Sequence, residues 1–219
     1  MLTCRAILFD LDGVLADSIA AVERAWRAFA DRHALDGDDI VTRVHGRRAV
    51  DSVRAIAPHA DVDAEIAWLE AMEAADTSDV VALPGAAEVL HVLPPDRWTV
   101  VTSGTRPVAE ARLRAAGLPI PRHMVAAGEI TRGKPDPEGY LRAADRLGVA
   151  PGDCVVVEDA PPGAAAARAA GMGLLALTTT HDAAAMAGAD LVVPNLAAVE
   201  VTVHGDRIVI ASRGPGRAS

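Results

Sequence analysis

The chain has 219 residues, of which 51% are hydrophobic and 3% aromatic, so it can form one large domain or one domain with a small insert. Its net charge of −9 argues against nucleic acid and against an anionic membrane as partners. No apolar run reaches the roughly 20 residues that span a bilayer, and no basic segment precedes an apolar stretch at the N-terminus. We therefore predict a cytoplasmic protein, while its oligomeric state stays open.

The first predicted elements are a short buried strand and a series of helices. The apolar run "AILF" ends at Phe9 and predicts the strand. Residues 18–33 predict an amphipathic helix, which Ser18 or Asp17 could cap. Its apolar residues share one face: Ile19, Val22, Trp26 and Phe29. Because helical periodicity continues beyond this helix, we expect residues 17–82 to be all-helical.

After residue 82, short apolar runs alternate with helical stretches. The runs "WTVVTS", "HMVAAG", "DCVVVED", "GLLALTT" and "LVVP" predict strands, and the alternation is typical of a parallel sheet. The segment "VEVTVHGDRIVIAS" predicts a hairpin that turns near Gly205, and the tail "SRGPGRAS" is predicted to fray. We predict an α/β fold with a Rossmann-like core of residues 1–16 and 83–219, a parallel sheet flanked by helices, and a small all-helical domain, residues 17–82, inserted after the first strand.

Polar side chains follow the predicted strands where each strand ends. They are Asp10, Ser103, Lys134, Glu158 and Asp159. The carboxyl ends of parallel strands form the rim at which ligands bind, so we expect these side chains to converge. These residues lie in four short motifs: Asp10 with Asp12 and Gly13, Ser103 with Gly104, "GKPDP", and Glu158 with Asp159. Each motif alone also fits an ordinary turn, helix cap or solvated strand end. The four motifs together, in this order on one sheet, favour an active site.

Lys134 adds independent weight to that prediction. It is the only lysine in a chain with 21 Lys and Arg residues. A preference for arginine explains why lysine is scarce, but it does not explain why the one lysine stands at the predicted rim. A compact ammonium and a planar guanidinium are not interchangeable where charge must sit at one point.

The motifs resemble those of the haloacid dehalogenase-like hydrolases, in the branch with a helical cap after the first motif. The four motifs are "DLDGVLADS", "VVTSGT", "GKPDPEGYL" and "VVVEDAPPGAAAARAAG", and the resemblance runs from about residue 5 to about residue 195. The segments "HGRRAVD", "LPGA" and "RWTVVTSGTR" look most like the glycerol-3-phosphatase and 2-deoxyglucose-6-phosphatase group. The resemblance implies hydrolysis of a small phosphorylated sugar or polyol.

The resemblance also implies catalytic roles. Asp10 would be the nucleophile that takes the phosphoryl group, and Asp12 would protonate the leaving group and then deprotonate water. Lys134 would offset negative charge on Asp10 and on the phosphoryl group. Ser103 and the backbone N–H groups after it, beginning with Gly104, would hold the phosphoryl oxygens.

The resemblance implies Mg²⁺ as the cofactor. The side chains of Asp10 and Asp159 and the backbone carbonyl of Asp12 would bind it, and Glu158 would reach it directly or through water. Few carboxylates with waters and a phosphate oxygen suit this ion.

Several reactions use such a scaffold, so alternatives stay open. A β-phosphoglucomutase-like mutase would have a histidine on the first cap helix, where this chain has Val22. A dehalogenase would leave the second acid and the Glu158–Asp159 pair unexplained, and a phosphonate hydrolase would need a cap lysine. A non-catalytic phosphate-binding module would not need the catalytic residues.

The cap would choose the substrate. His45, Arg47 and Arg48 follow the first cap helices at a point that could face the rim. We expect Arg48 to reach the substrate, with His45 as a second candidate, although a surface arginine is often simply solvated.

Overall fold

The computed structural model describes residues 1–213. Within them the strands are β1 (Leu2–Cys4), β2 (Ala6–Phe9), β3 (Ala16–Asp17), β4 (Val81–Ala82), β5 (Trp98–Val100), β6 (Cys154–Glu158), β7 (Gly173–Leu177), β8 (Leu191–Val193), β9 (Val199–His204) and β10 (Arg207–Ser212). The α-helices are α1 (Ile19–Arg32), α2 (Gly37–Val44), α3 (Ala49–Ile56), α4 (Val62–Ala75), α5 (Ala86–Val92), α6 (Arg106–Ala115), α7 (Glu138–Leu147) and α8 (Pro161–Ala169).

The core is a parallel sheet in the order β5-β2-β6-β7-β8. Strand β2 lies inside the sheet, where Phe9 is paired with Val100 on one side and Val157 on the other. The strands are short and almost wholly apolar because helices cover both faces of the sheet. The predicted α/β fold with a helical insertion after the first core strand is confirmed.

Alternate residues of β2 serve two hydrophobic layers. Ile7 and Phe9 pack on the side of α5 and α6, and Ala6 and Leu8 pack on the side of α7 and α8. Because side chains alternate along a strand, four residues contribute to both layers. This burial fixes the position at which β2 ends, and Asp10 follows directly.

Helices α1–α4 form their own hydrophobic cluster, with Trp26, Phe29, Ile40 and Leu69 buried in it. The predicted helix from residue 18 is observed as α1. Ser18 occupies its N-cap position but makes no side-chain capping bond, and its hydroxyl donates to Asp12 instead. The boundaries of the insert at residues 17 and 82 stay a prediction.

The insert is not wholly helical. Its two ends pair as the antiparallel strands β3 and β4, with Asp17 opposite Val81. Two residues per strand are too few for a period-2 pattern to appear in the sequence, so this pairing could not be predicted.

The predicted hairpin is present as β9 and β10, which join β1 in a three-stranded antiparallel sheet. The predicted strand "HMVAAG" is wrong: only Val125 forms an isolated bridge, with Val101. A tight helical turn, Ala127–Glu129, follows at once, and the alanines and glycine of this run have low strand propensity. Residues 214–219 of the tail predicted to fray lie outside the described residues. No helix within residues 1–213 is long and apolar enough to cross a membrane.

Candidate active site

The carboxyl ends of β2 and β6 bring three acids together. Asp10 follows β2, Glu158 is the last residue of β6, and Asp159 follows it. All three are buried, and each offers a carboxylate oxygen within 4.8 Å of the others. Three buried carboxylates repel one another unless cations lie among them. The predicted convergence of these acids is therefore observed, and it demands compensating positive charge.

Lys134 supplies part of that charge. Its Nζ lies 2.9 Å from Asp10 Oδ1 and 2.6 Å from Glu158 Oε1, and its side chain is 6% exposed. Burial alone would lower the pKa of Lys134, but the carboxylates of Asp10 and Glu158 raise it above its ordinary value. The chain's single lysine is therefore a buried ammonium between two acids.

The negative charge of Asp10 is only partly compensated by Lys134. Burial, followed by the charge of Glu158, raises its pKa well above the ordinary value, and Lys134 opposes this rise. A carboxylate nucleophile must be ionised to react. One ammonium shared among three acids therefore leaves room for a further cation.

Glu158 is fully engaged by the protein. Oε1 contacts Lys134 and accepts a hydrogen bond from the Tyr140 hydroxyl, while Oε2 accepts from the backbone N–H groups of Asp159 and Ala160. The Lys134 ammonium also lies 5.5 Å from the centre of the Tyr140 ring. Sequence reasoning quoted Tyr140 within "GKPDPEGYL" but gave it no role.

The first turn of α8 leaves space for Glu158. A Cβ at Gly163 would lie 1.7 Å from Glu158 Oε1, far inside van der Waals contact. The carboxylate thus occupies the place of a side chain on this helix, and glycine is required there for steric reasons.

Asp159 has the atom best suited to a metal. Its Oδ1 is buried and accepts no hydrogen bond from the described residues, which is costly for a carboxylate oxygen. Its Oδ2 accepts from Thr180 Oγ1 and lies 3.8 Å from His45 Nε2. Hard carboxylate oxygens suit a divalent cation such as Mg²⁺. The residues at this rim therefore fit a divalent metal.

The Asp12 carboxylate contacts different residues from those that contact Asp10 and Glu158. Both of its carboxylate oxygens accept hydrogen bonds from Arg112 Nη1, each at 2.9 Å, and Oδ1 also accepts from the Ser18 hydroxyl. Arg112 lies on α6 and its Nη2 lies 2.6 Å from Glu73 Oε2 of α4. Sequence reasoning missed both Arg112 and Glu73, because a single charged residue on a helix carries no signal of burial.

The second motif lies at the same rim, close to the insert. The Ser103 hydroxyl donates to the Gly46 carbonyl at 2.9 Å, and the Gly104 N–H donates to Thr102 Oγ1 at 3.0 Å. Both groups have protein partners in this arrangement, so a phosphoryl group would have to exchange with those partners. Their role in binding stays a prediction.

A cavity of about 420 Å³ lies between the rim and helices α1–α4. The rim contributes Asp10, Asp12, Ser103 and Gly104 to its lining. The insert contributes mainly apolar side chains and several charged ones: Ile19, Val22, Trp26, Val50, Arg54 and Glu70. His45, Arg47 and Arg48 also line it.

Arg48 is largely occupied by protein groups. Its Nε and Nη2 bind Asp51, and its Nη1 and Nη2 donate to the carbonyls of Ile130 and Thr131, each at 2.8 Å. A Cβ at Gly133 would lie 2.7 Å from Arg48 Nε, so the loop and the guanidinium are in close contact. Of its five N–H groups, one on Nη1 is left for a ligand. The prediction that Arg48 reaches the substrate is untested.

Comparisons with known proteins find relatives that match most of this chain. Hexitol phosphatase A of Escherichia coli is 44% identical over 213 residues, covering 94% of this chain and 99% of that protein. Glycerol-1-phosphate phosphohydrolase 2 of Saccharomyces cerevisiae is 32% identical, covering 91% of this chain and 86% of that protein. The crystal structure of a hydrolase from Pseudomonas syringae superposes with a TM-score of 0.77 at 27% identity, over 88% of this chain and 94% of that one.

The family assignment covers most of the chain. The family profile described as haloacid dehalogenase-like hydrolase matches residues 4–171, which include all four motifs. The match and the relatives cover the rim with its buried acids and lysine as well as the helical insert. The chain belongs to the haloacid dehalogenase-like hydrolase family.

Proposed function

We propose that this protein is a Mg²⁺-dependent phosphatase that hydrolyses a small sugar or polyol phosphate monoester through an aspartyl phosphate. The observation that carries the proposal is the buried ammonium of Lys134 on Asp10 and Glu158, beside the unpartnered Oδ1 of Asp159. Such charge compensation suits a carboxylate that receives a phosphoryl group. Relatives named for hexitol and glycerol phosphates support the substrate class.

In the first half-reaction, an Asp10 oxygen attacks phosphorus in line with the ester oxygen. The new O–P bond forms as the ester P–O bond breaks, and protonated Asp12 gives its proton to the leaving alkoxide. Lys134 stabilises the charge that spreads over the transferring group. Ser103 and the Gly104 N–H hold the phosphoryl oxygens once the substrate displaces their present partners.

In the second half-reaction, water attacks phosphorus and Asp12 takes a proton from it. The bond between phosphorus and the Asp10 oxygen breaks, which releases inorganic phosphate and restores the carboxylate. The two carboxylates do different work because their surroundings differ: Asp10 lies against Lys134, and Asp12 lies against Arg112.

Asp10, Asp159 and the backbone carbonyl of Asp12 would hold the Mg²⁺. When bound, the ion neutralises charge on the phosphoryl group and on the nucleophile. Glu158 would act through water, because Lys134, Tyr140 and two backbone N–H groups already use its oxygens. Mg²⁺ should raise the melting temperature of the wild type but not of Asp159→Asn. Equal shifts in both proteins would refute this site.

The proposal includes separate roles for the two parts of the chain. Residues 1–16 and 83–219 would form the catalytic core, and residues 17–82 would form a cap that selects the substrate. The separate hydrophobic cluster of α1–α4 supports this division. Cytoplasmic placement and the exclusion of nucleic acid and membrane partners stay predictions from charge and composition.

The mutase alternative is less well supported. Val22, at the position where that family has its cap histidine, lines the cavity without a titratable group. A mutase interconverts phosphate isomers, whereas a phosphatase releases phosphate. A binding module would release none, and it would have no need of the buried Lys134.

A phosphate-release screen tests the proposal. The purified protein with Mg²⁺ is given glycerol, hexitol, hexose and deoxyhexose phosphates and phosphoglycolate, and free phosphate is measured. We expect turnover of polyol or sugar esters, with Asp10→Asn as the inactive control. Isomerisation without phosphate release would favour the mutase, and no reaction with any ester would favour the binding module.

A further inference from the structure

Arg112 is the largest fully buried side chain of the described residues, and it joins the two parts of the molecule. Its side chain is 2% exposed, Nη1 binds both oxygens of Asp12, and Nη2 binds Glu73 of the insert. None of the four motifs includes Arg112 or Glu73, and no step derived above uses Glu73. A buried charge with two acidic partners, both lining the substrate cavity, needs a function.

We propose that Arg112 is a positioning residue that holds the Asp12 carboxylate in place for proton transfer, and that Glu73 fixes Arg112 from the insert. The inference rests on the proposed phosphatase function. It predicts that the position of Asp12 depends on contact between α6 of the core and α4 of the insert.

The geometry of the contacts supports positioning. Asp12 lies after β2 in a loop, and its carboxylate contacts come from two elements: Arg112 on α6, and Ser18, six residues further on, at the start of α1. Arg112 Nη1 lies 2.9 Å from each oxygen of Asp12, so the carboxylate faces this nitrogen symmetrically. The Ser18 hydroxyl adds a third bond to Oδ1. With these three bonds, a flexible side chain takes one orientation.

The energetics argue against a purely stabilising role. A buried ion pair contributes little net stability, because removing the charges from water offsets their attraction. Arg112 also leaves its buried Nε without a hydrogen-bond partner, which adds a further cost. Apolar side chains of similar size would fill this site with less desolvation.

Helix α6 links the acid to the phosphate loop. Thr105 is the N-cap of α6, directly after Ser103 and Gly104. Arg112 lies seven residues further along the same helix, which is about 10 Å of axial rise. Helix α6 thus begins at the predicted phosphate-binding loop, and two turns later it carries Arg112, which binds Asp12. This arrangement sets the distance between the phosphoryl group and the proton donor.

The test uses the leaving group of the substrate. An alkoxide needs a proton from Asp12 as it departs, whereas 4-nitrophenolate departs without one. The ratio kcat/KM reports only steps up to the first irreversible one, here phosphoryl transfer to Asp10. We expect Arg112→Gln to lower kcat/KM at least about 10²-fold on glucitol 6-phosphate or glycerol 3-phosphate, whichever the wild type prefers. On 4-nitrophenyl phosphate the loss should stay below about fivefold.

Matched variants separate positioning from damage. Asp12→Asn should show the same leaving-group split, and Asp12→Asn/Arg112→Gln should be no worse than Asp12→Asn alone, because both act through one carboxylate. Arg114→Gln, on the exposed side of α6, should leave both substrates unaffected. Glu73→Gln keeps an oxygen acceptor for Nη2 and should cost less than Glu73→Leu on the alkyl ester.

A second variant serves if Arg112→Gln does not fold. Glu73→Met/Arg112→Met removes these two charges together. Asp12 keeps its hydrogen bond from Ser18 and is 21% exposed to solvent, so the variant should fold and show the same split. Equal losses on the two esters, or additive losses with Asp12→Asn, would overturn the inference in an active enzyme. If the wild type releases phosphate from none of the sugar and polyol esters in the screen, the proposed function fails, and this inference fails with it.

Discussion

The rim of the sheet and the wall of the insert form opposite sides of one cavity, and they are built differently. At the rim, acids at the ends of buried strands contact the one lysine, which lies in a loop, at 2.6 and 2.9 Å. The wall consists of helix faces that are mainly apolar, with arginines and glutamates between them. Under the proposed function, groups at the sheet rim would carry out the chemistry, and residues held by helix packing would select the substrate.

Removing the nucleophile should produce the largest effect at the rim. Asp10→Asn should lower kcat at least about 10⁴-fold, because no other group replaces the attacking oxygen. The melting temperature should not fall, since the change removes one of three buried like charges. Asp17→Asn, exposed and a few residues away, is the control and should keep full activity. Substantial turnover by folded Asp10→Asn would assign the nucleophile elsewhere.

The second-largest effect is expected when the rim's lysine is replaced by arginine, which has a differently shaped cationic group. Lys134→Arg should keep a near-wild-type melting temperature and lose at least about 10²-fold in kcat/KM, or roughly 2.7 kcal/mol of transition-state stabilisation. A guanidinium cannot occupy the point between Asp10 and Glu158 that the ammonium holds. Arg132→Lys in the same loop, at an exposed side chain, should change little. Retention of more than about a third of kcat/KM would reduce Lys134 to a structural residue.

Substitutions in the helical wall of the cavity should have a smaller effect on activity, and the effect should differ between substrates. Arg48→Ala should raise KM about tenfold for the sugar or polyol ester and less for 4-nitrophenyl phosphate, because Arg48 contacts the cavity as well as the loop before Lys134. Gly133→Ala displaces the guanidinium without removing it, and should give a milder version of the same pattern. Equal rises in KM for both esters would mean that Arg48 only ties the insert to the core.

The smallest expected effect is on the stability of the loop that carries Lys134, and this stability should depend on pH. Hydrogen bonds from the Thr131 hydroxyl and from the N–H groups of Thr131 and Arg132 lower the pKa of Glu138 to about 2. The unfolded value is about 4.3, so the carboxylate stabilises the fold above that pH, and the contribution fades as the pH falls toward 2.

Glu138→Gln should therefore unfold at lower urea than the wild type at pH 7. The gap should be constant down to about pH 5 and should narrow below about pH 4. Urea midpoints of both proteins across this range measure it. A gap that widens on acidification would contradict the sign of the shift.

The rim was predictable from the sequence because strand direction and strand end are local properties. Asp10, Glu158 and Asp159 follow short apolar runs that favour buried strands, and parallel strands bring such ends together. The assembly of Lys134 with them followed from its motif.

The helix-borne partners could not be predicted in the same way. Arg112 is one of three arginines on α6, and nothing in "RPVAEARLRA" distinguishes it from the half-buried Arg106 or the exposed Arg114. Its burial depends on how α4 packs on α6, which is a tertiary property. The same holds for Glu73, and for the short β3–β4 pair that closes the insert.

The glycine in the first turn of α8 has a consequence for how this chain tolerates change. Glu158 fills the volume in which any other residue at position 163 would carry its Cβ, so a saturation library selected for phosphate release should retain glycine alone there. Gly152, with no atom within 4 Å of an added Cβ, should accept many residues in the same library. Glu158 thus constrains a site five positions along the chain that has no chemistry of its own. In such a library, position 163 should be as invariant as the nucleophile.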